Sequence, residues 1–109
     1  MATTYKVLGQ VCPSATTASA LYTVPSSTST VVSTITVANL GGSSATYRIS
    51  VRPAAATQTN AMYIAYDVTV GANDTTTLTL GLTLATTDVI TVYASTATIA
   101  FNAYGSEIA

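Results

Sequence analysis

The stretch Ala45-Thr46-Tyr47-Arg48-Ile49-Ser50-Val51-Arg52-Pro53 alternates polar and apolar side chains up to its proline. Successive side chains of a strand leave on opposite faces, so Tyr47, Ile49 and Val51 point one way and Thr46, Arg48, Ser50 and Arg52 the other. Pro53 has no N–H to give to a ladder and ends the strand. The pattern is that of a half-buried β-strand, which needs a second layer to cover its apolar face.

The same period extends in both directions. Upstream, residues 31–39 put Val31, Ile35 and Val37 on one face against Val32, Thr34 and Thr36, and Leu40-Gly41-Gly42-Ser43-Ser44 supplies a turn. These features predict a hairpin between 31–39 and 45–52. Downstream, a loop rich in Ala, Thr, Gln and Asn leads to residues 61–70, where Met62, Ile64, Tyr66, Val68 and Val70 keep register as a second long core strand. Gly71-Ala72-Asn73-Asp74 has tight-turn chemistry, and residues 75–82 follow with Leu78, Leu80 and Leu82 inward, predicting another hairpin. Strands are also expected at 89–94, opened by Thr87-Asp88, and at 96–104 through Ile99 and Phe101, with weaker ones at 5–11 and 21–24. No long window shows the i, i+3, i+4, i+7 recurrence of a helix. The expected fold is all-β: a single antiparallel β-sandwich of about seven or eight strands, jelly-roll or immunoglobulin-like, with both topologies open.

At 109 residues the chain is expected to form one domain over 1–109, with residues 1–10 a possible exchangeable N-terminal arm or edge strand. Only 6% of residues are charged, against about 25% in ordinary domains. Threonine and serine hydroxyls take over the contact with water, and β-branched threonine also suits a pleated surface. A net charge of −1 with three scattered cations neither neutralises a run of phosphates nor holds an anionic bilayer, so nucleic acid and membrane are not expected partners. Residues 1–9 carry no basic-then-apolar export pattern, and the longest apolar run, 61–66, is too short to span lipid. The single Cys12 forms no internal disulfide; it is expected as a small buried apolar thiol, consistent with assembly in a reducing cytoplasm.

The chain has no histidine, which removes Ser-His-Asp and Cys-His nucleophile systems and the usual zinc constellations. A glycosidase needs two facing carboxylates within about 10 Å, and Asp67, Asp74, Asp88 and Glu107 are the available acids. Asp74 and Asp88 lie in turn-like segments where Asp bonds nearby backbone, Asp67 falls on the polar face of its strand, and Glu107 is near the chain end. A calcium site would gather several carboxylates in one loop, which Asn73, Asp74 and Asp88 do not. Gly41-Gly42 lacks the further glycines and lysine of a phosphate loop. No catalytic residue, metal site, cofactor or small-molecule substrate is therefore expected, and the protein reads as non-enzymatic.

Surface chemistry carries more. Arg48 and Arg52 share a strand face about 13 Å apart at ordinary rise, a spacing suited to clamping an acidic partner surface. Tyr22, Tyr63, Tyr93 and Tyr104 raise a carbohydrate-stacking platform as an alternative to the ordinary use of tyrosine in strands. Soluble monomers blunt sheet edges with Lys, Pro and inward charges, yet here one lysine and three prolines serve the whole chain. Covered edges and copies packed side by side account for that scarcity. The expected interface comprises Tyr5, Lys6, Val7 and Leu8, as a strand able to add to a neighbour's sheet, together with Arg48 and Arg52.

Several segments also resemble small phage virion structural proteins, notably those of cyanophages: Thr3-Thr4-Tyr5-Lys6-Val7-Leu8-Gly9-Gln10, Leu21-Tyr22-Thr23-Val24-Pro25 through Val31-Val32-Ser33-Thr34-Ile35, Ala45-Thr46-Tyr47-Arg48-Ile49 to Val51-Arg52-Pro53, and Phe101-Asn102-Ala103-Tyr104-Gly105-Ser106-Glu107. The resemblance covers nearly the whole chain and carries no catalytic motif. It implies a particle component without cofactor, a decoration or cement protein made in the host cytoplasm and bound to the outer capsid. Its implied partners are the major capsid protein and copies of itself, as a dimer or trimer. A tail or baseplate structural or receptor-binding module is the alternative.

Overall fold

Alternation is realised most directly in the strand read first: Tyr47 and Ile49 are fully buried while Arg48 and Arg52 face outward. The computed structural model describes residues 2–109, so Met1, the first residue of the expected arm, lies outside the described residues. Eight strands follow in order: β1 (Thr3–Val11), β2 (Ser19–Thr23), β3 (Ser29–Asn39), β4 (Ala45–Arg52), β5 (Tyr63–Val70), β6 (Thr75–Leu84), β7 (Val89–Ala94) and β8 (Ile99–Ile108). They form two four-stranded antiparallel sheets, β1-β8-β3-β6 (sheet A) and β2-β7-β4-β5 (sheet B).

The pairs β1·β8, β2·β7, β3·β6 and β4·β5 are the successive rungs of one long antiparallel ribbon. The pairs β3·β8 and β4·β7 close that ribbon into two packed layers. This winding is the jelly roll, and the immunoglobulin alternative drops out. It also corrects both expected hairpins. Strands β3 and β4 lie in different sheets, as do β5 and β6, so the Gly41-Gly42 and Gly71-Asp74 turns carry the chain across the sandwich. Turn residues specify a reversal but not whether the next strand pairs or crosses.

Those corner turns are tied together by Asn39, which is buried at the end of β3. Its Nδ2 donates to the carbonyls of Ser43 (2.8 Å) and Val70 (3.4 Å), and its Oδ1 accepts from Gly41 N (2.9 Å) and Thr98 Oγ1 (3.0 Å). One side chain thus holds the ends of three connections.

Between the layers, Tyr47 of sheet B meets Phe101 of sheet A edge-on, centroids 6.1 Å apart. Val24, Val32, Ile35, Val37, Ile90 and Ile99 are buried around them. Each such side chain contributes about 1.5–3 kcal/mol on burial.

Register shifts explain where alternation misleads. In sheet A, Val7, Tyr104, Thr34 and Thr79 form one cross-strand row, and beside it Leu8, Ser33 and Leu80-Gly81 are extra residues in β1, β3 and β6. A bulge bends its strand and switches which side chains face inward. Hence Val32, not Val31, is buried with Ile35 and Val37; Leu80 is exposed while Leu78 and Leu82 pack on the core. Gly81, at φ +67°, takes the left-handed conformation the β6 bulge needs. The expected core strand at 61–70 is likewise corrected: residues Asn60–Met62 form a 3-10 turn, β5 is an edge strand with shifts near Ile64 and Tyr66-Asp67, and Ile64, Tyr66 and Val68 are exposed. The strand expected at 96–104 begins at Ile99 and runs to Ile108.

Candidate functional site

Two surfaces concentrate the side chains singled out in the sequence. The first is the outer face of sheet B. Where β5 bulges, Tyr66 and Asp67 both fall opposite Arg48 between the pairs Tyr47↔Val68 and Ile49↔Ala65. Asp67 adopts φ 50°, unusual for a residue with a side chain. The bulge gives Arg48 two partners from one strand. Its Nε donates to Asp67 Oδ1 at 2.7 Å and its Nη2 to Oδ2 at 3.4 Å. The guanidinium carbon lies 4.3 Å from the Tyr66 ring centroid and 4.4 Å from that of Tyr93. The hydrogen bonds to Asp67 above all, with the negative charge behind them, raise the Arg48 pKa further above its ordinary range.

Arg52 sits on the same face, as expected, but in different company. Its Nε donates to Thr91 Oγ1 (3.0 Å) and its Nη1 to the Ala56 carbonyl (3.1 Å), anchoring the connection that begins with the Pro53–Ala55 turn. Ser50, buried between the two arginines, donates to Gln58 Oε1 at 2.6 Å. A depression of about 310 Å³ opens here, lined by Ser19, Arg52, Gln58, Tyr63 and Tyr93 among others. Tyr63 leans edge-on against Tyr66, centroids 4.9 Å apart.

The second surface is the β1 edge of sheet A. Tyr5 is 84% exposed and Val7 is exposed, and both lie with Tyr104, Val31 and Ser33 along a shallow groove of about 550 Å³. Leu8, expected with them, is the bulged residue and belongs to the chain's own core. Lys6 turns to the other face, where its Nζ meets Glu107 Oε1 at 3.1 Å. The ladder runs on past β1 and β8, since Ala2 and Ala109 exchange both backbone hydrogen bonds at 2.9 Å.

The remaining candidates disperse. Tyr22 is buried rather than part of a stacking platform, whereas Tyr63 and Tyr93 share the sheet B depression and Tyr104 lies on sheet A. Cys12, expected buried, is exposed, its Sγ 3.5 Å from the Ala97 carbonyl. Asp74 accepts from Thr75 N and Asp88 from Ala85 N, the turn roles expected of them, and Asp88 also accepts from Ala54 N in the connection after β4. Asp67 is taken by Arg48 and Glu107 by Lys6 and Tyr22. Among the described residues no three potential metal ligands cluster. Sequence reading missed Tyr66, Asp67 and Gln58 as neighbours of the arginines. The bulge that delivers the first two has no glycine to announce it, and Gln58 comes from a loop without period. Compared with family models, curated proteins and solved structures, the chain matches none.

Proposed function

We propose that this chain is a virion structural protein, a decoration or cement protein that binds the outer capsid lattice as a symmetric oligomer. The observation that carries the reading is the edge strand β1, which presents Tyr5 and Val7 to solvent beside Tyr104 while its one lysine is turned onto Glu107. An edge whose one lysine is already paired with a carboxylate of its own sheet is a template for another chain's strand, and exposed aromatics beside it supply the apolar contact. The jelly-roll winding, a frequent architecture of viral capsid domains, agrees with this, as does a surface that avoids charge. In this role the sandwich acts mechanically: it bridges neighbouring capsid subunits and copies of itself, and so raises the particle's resistance to internal pressure.

The test is Tyr5→Lys combined with Val7→Lys, two outward substitutions that spare Leu8. Purified double variant mixed with particles lacking the protein should no longer co-sediment with them, whereas the unmodified chain should. Undiminished co-sedimentation of the variant would contradict the role of this edge. A tail or baseplate position remains the second reading, and the copy number per particle separates it from the first.

A further inference from the structure

We propose that the depression on sheet B is a binding site for a carboxylated sugar. Among the described residues, Lys6 pairs with Glu107 and Arg48 with Asp67, which leaves Arg52 as the one side-chain cation without a carboxylate partner. It is held by two neutral acceptors, Thr91 Oγ1 and the Ala56 carbonyl, which fix the guanidinium without cancelling its charge. Its second terminal nitrogen is left for a ligand, and a planar fork matches a carboxylate better than a point charge does.

The rest of the lining suits a pyranose ring. Tyr63 and Tyr93 offer aromatic surface at the depression, and among the described residues their hydroxyls have no hydrogen-bond partner. Tyr93 is further fixed by the Arg48 guanidinium, so it is positioned before any ligand arrives. Ser50 and Gln58 add a polar group bonded in place. No carboxylate is among the lining residues, and Asp67, the acid held by the lining residue Arg48, is already paired with that guanidinium, so the charge of Arg52 is the one left for an acidic ligand. Its volume of about 310 Å³ suits one or two sugar rings, at the small end of the roughly 300–1,000 Å³ usual for ligand sites. Rigid tyrosines with a few fixed polar groups bind at low entropic cost. The inference is independent of the particle reading, because a sugar site serves the chain whether or not it sits on a capsid.

The experiment is a titration of the full chain, followed by NMR, with a glucuronic-acid disaccharide, its glucose counterpart and sodium acetate. Saturable binding of the glucuronate is expected, with shifts at Arg52, Tyr63 and Tyr93. The glucose counterpart should bind at least about tenfold more weakly, and Arg52→Gln should weaken glucuronate binding by a similar factor. Because Arg52 also anchors residues 53–56, Arg52→Lys is measured beside it and should fall between the two. If neither variant folds, the glucuronate-to-glucose ratio of the unmodified chain decides. The site is overturned by no saturable glucuronate binding, by equal affinity for glucose, by affinity unchanged in a folded Arg52→Gln, or by acetate displacing the disaccharide at equal concentration. None of these results bears on co-sedimentation with particles.

Discussion

The hydroxyl of Tyr22 in β2 donates to Oε2 of Glu107 in β8 at 2.5 Å and lies 2.8 Å from Thr30 Oγ1, joining sheet B to sheet A at the end of the sandwich opposite Asn39 in β3. Glu107 in turn holds Lys6 of β1, so one carboxylate links three strands. Tyr22→Phe keeps the ring and deletes the clasp. It should cost about 1–2 kcal/mol, the loss of a hydrogen bond to a partly screened charge, read from denaturant midpoints at neutral pH.

The same clasp sets a pH dependence at both ends of the scale. The Tyr22 hydrogen bond first, then Lys6, holds the Glu107 carboxyl below its ordinary 4.5. A depressed carboxyl stabilises the fold above its unfolded value, and that contribution fades as pH falls through 4.5 toward the lower folded value. Burial first, then the Glu107 bond, pushes Tyr22 from 10.0 to about 12. A raised phenol stabilises fully below pH 10.0 and loses its contribution as pH climbs from there to about 12. Unfolding midpoints across pH should therefore fall at both extremes, with the alkaline fall reduced in Tyr22→Phe. Equal alkaline slopes in the two proteins would contradict the assignment.

Arg48 is recognised by shape as well as charge, through a forked contact with Asp67 and stacking on Tyr66 and Tyr93. Arg48→Lys keeps the charge and loses the fork and the planar stack, so it should lower the unfolding midpoint nearly as much as Arg48→Gln. A double-mutant cycle with Asp67→Asn should return a favourable coupling that shrinks in high salt.

Asn39 makes four hydrogen bonds to three connections. Asn39→Ala should cost about 2–4 kcal/mol by leaving buried groups unpaired, and hydrogen exchange should accelerate at Gly41 and in neighbouring loops.

Glycines mark where strands run too close for a side chain. A Cβ on Gly105 would meet the Val31 carbonyl oxygen at 2.0 Å, and one on Gly9 the Leu21 carbonyl oxygen at 2.0 Å, whereas one on Gly42 meets nothing within 4 Å. Gly105→Ala and Gly9→Ala should each destabilise by about 1–3 kcal/mol or more. Gly42→Ala should stay within about 0.5 kcal/mol of the unmodified protein.

What the sequence made legible follows from where the chain is regular. Tyr47 and Ile49 were readable as core because β4 is a central strand, paired to β7 without a shift. Arg48 and Arg52 were readable as one outer face for the same reason. Val31, Leu80 and Ile64 were misread because bulges at Ser33, Leu80-Gly81 and in β5 turn the chain over, and alternation counted across a bulge assigns the wrong face. The partners of Arg48 were hidden by the same device. Cys12 departs from its expectation because that rested on the general tendency of thiols to be buried, whereas the residue lies just past the end of β1, where it is exposed; buried Tyr22 follows the ordinary use of tyrosine in strands. The jelly roll itself depends on pairings such as Thr3↔Ile108, between residues at opposite ends of the chain, which no local signal encodes.

The most direct test of the particle reading is quantitative mass spectrometry of purified, DNA-filled particles, giving copies of this chain relative to the major capsid protein. A decoration protein predicts hundreds of copies in a fixed simple ratio to the capsid subunit. A few to a few dozen copies would move the chain to the tail or baseplate, and absence from the particle would contradict the account altogether.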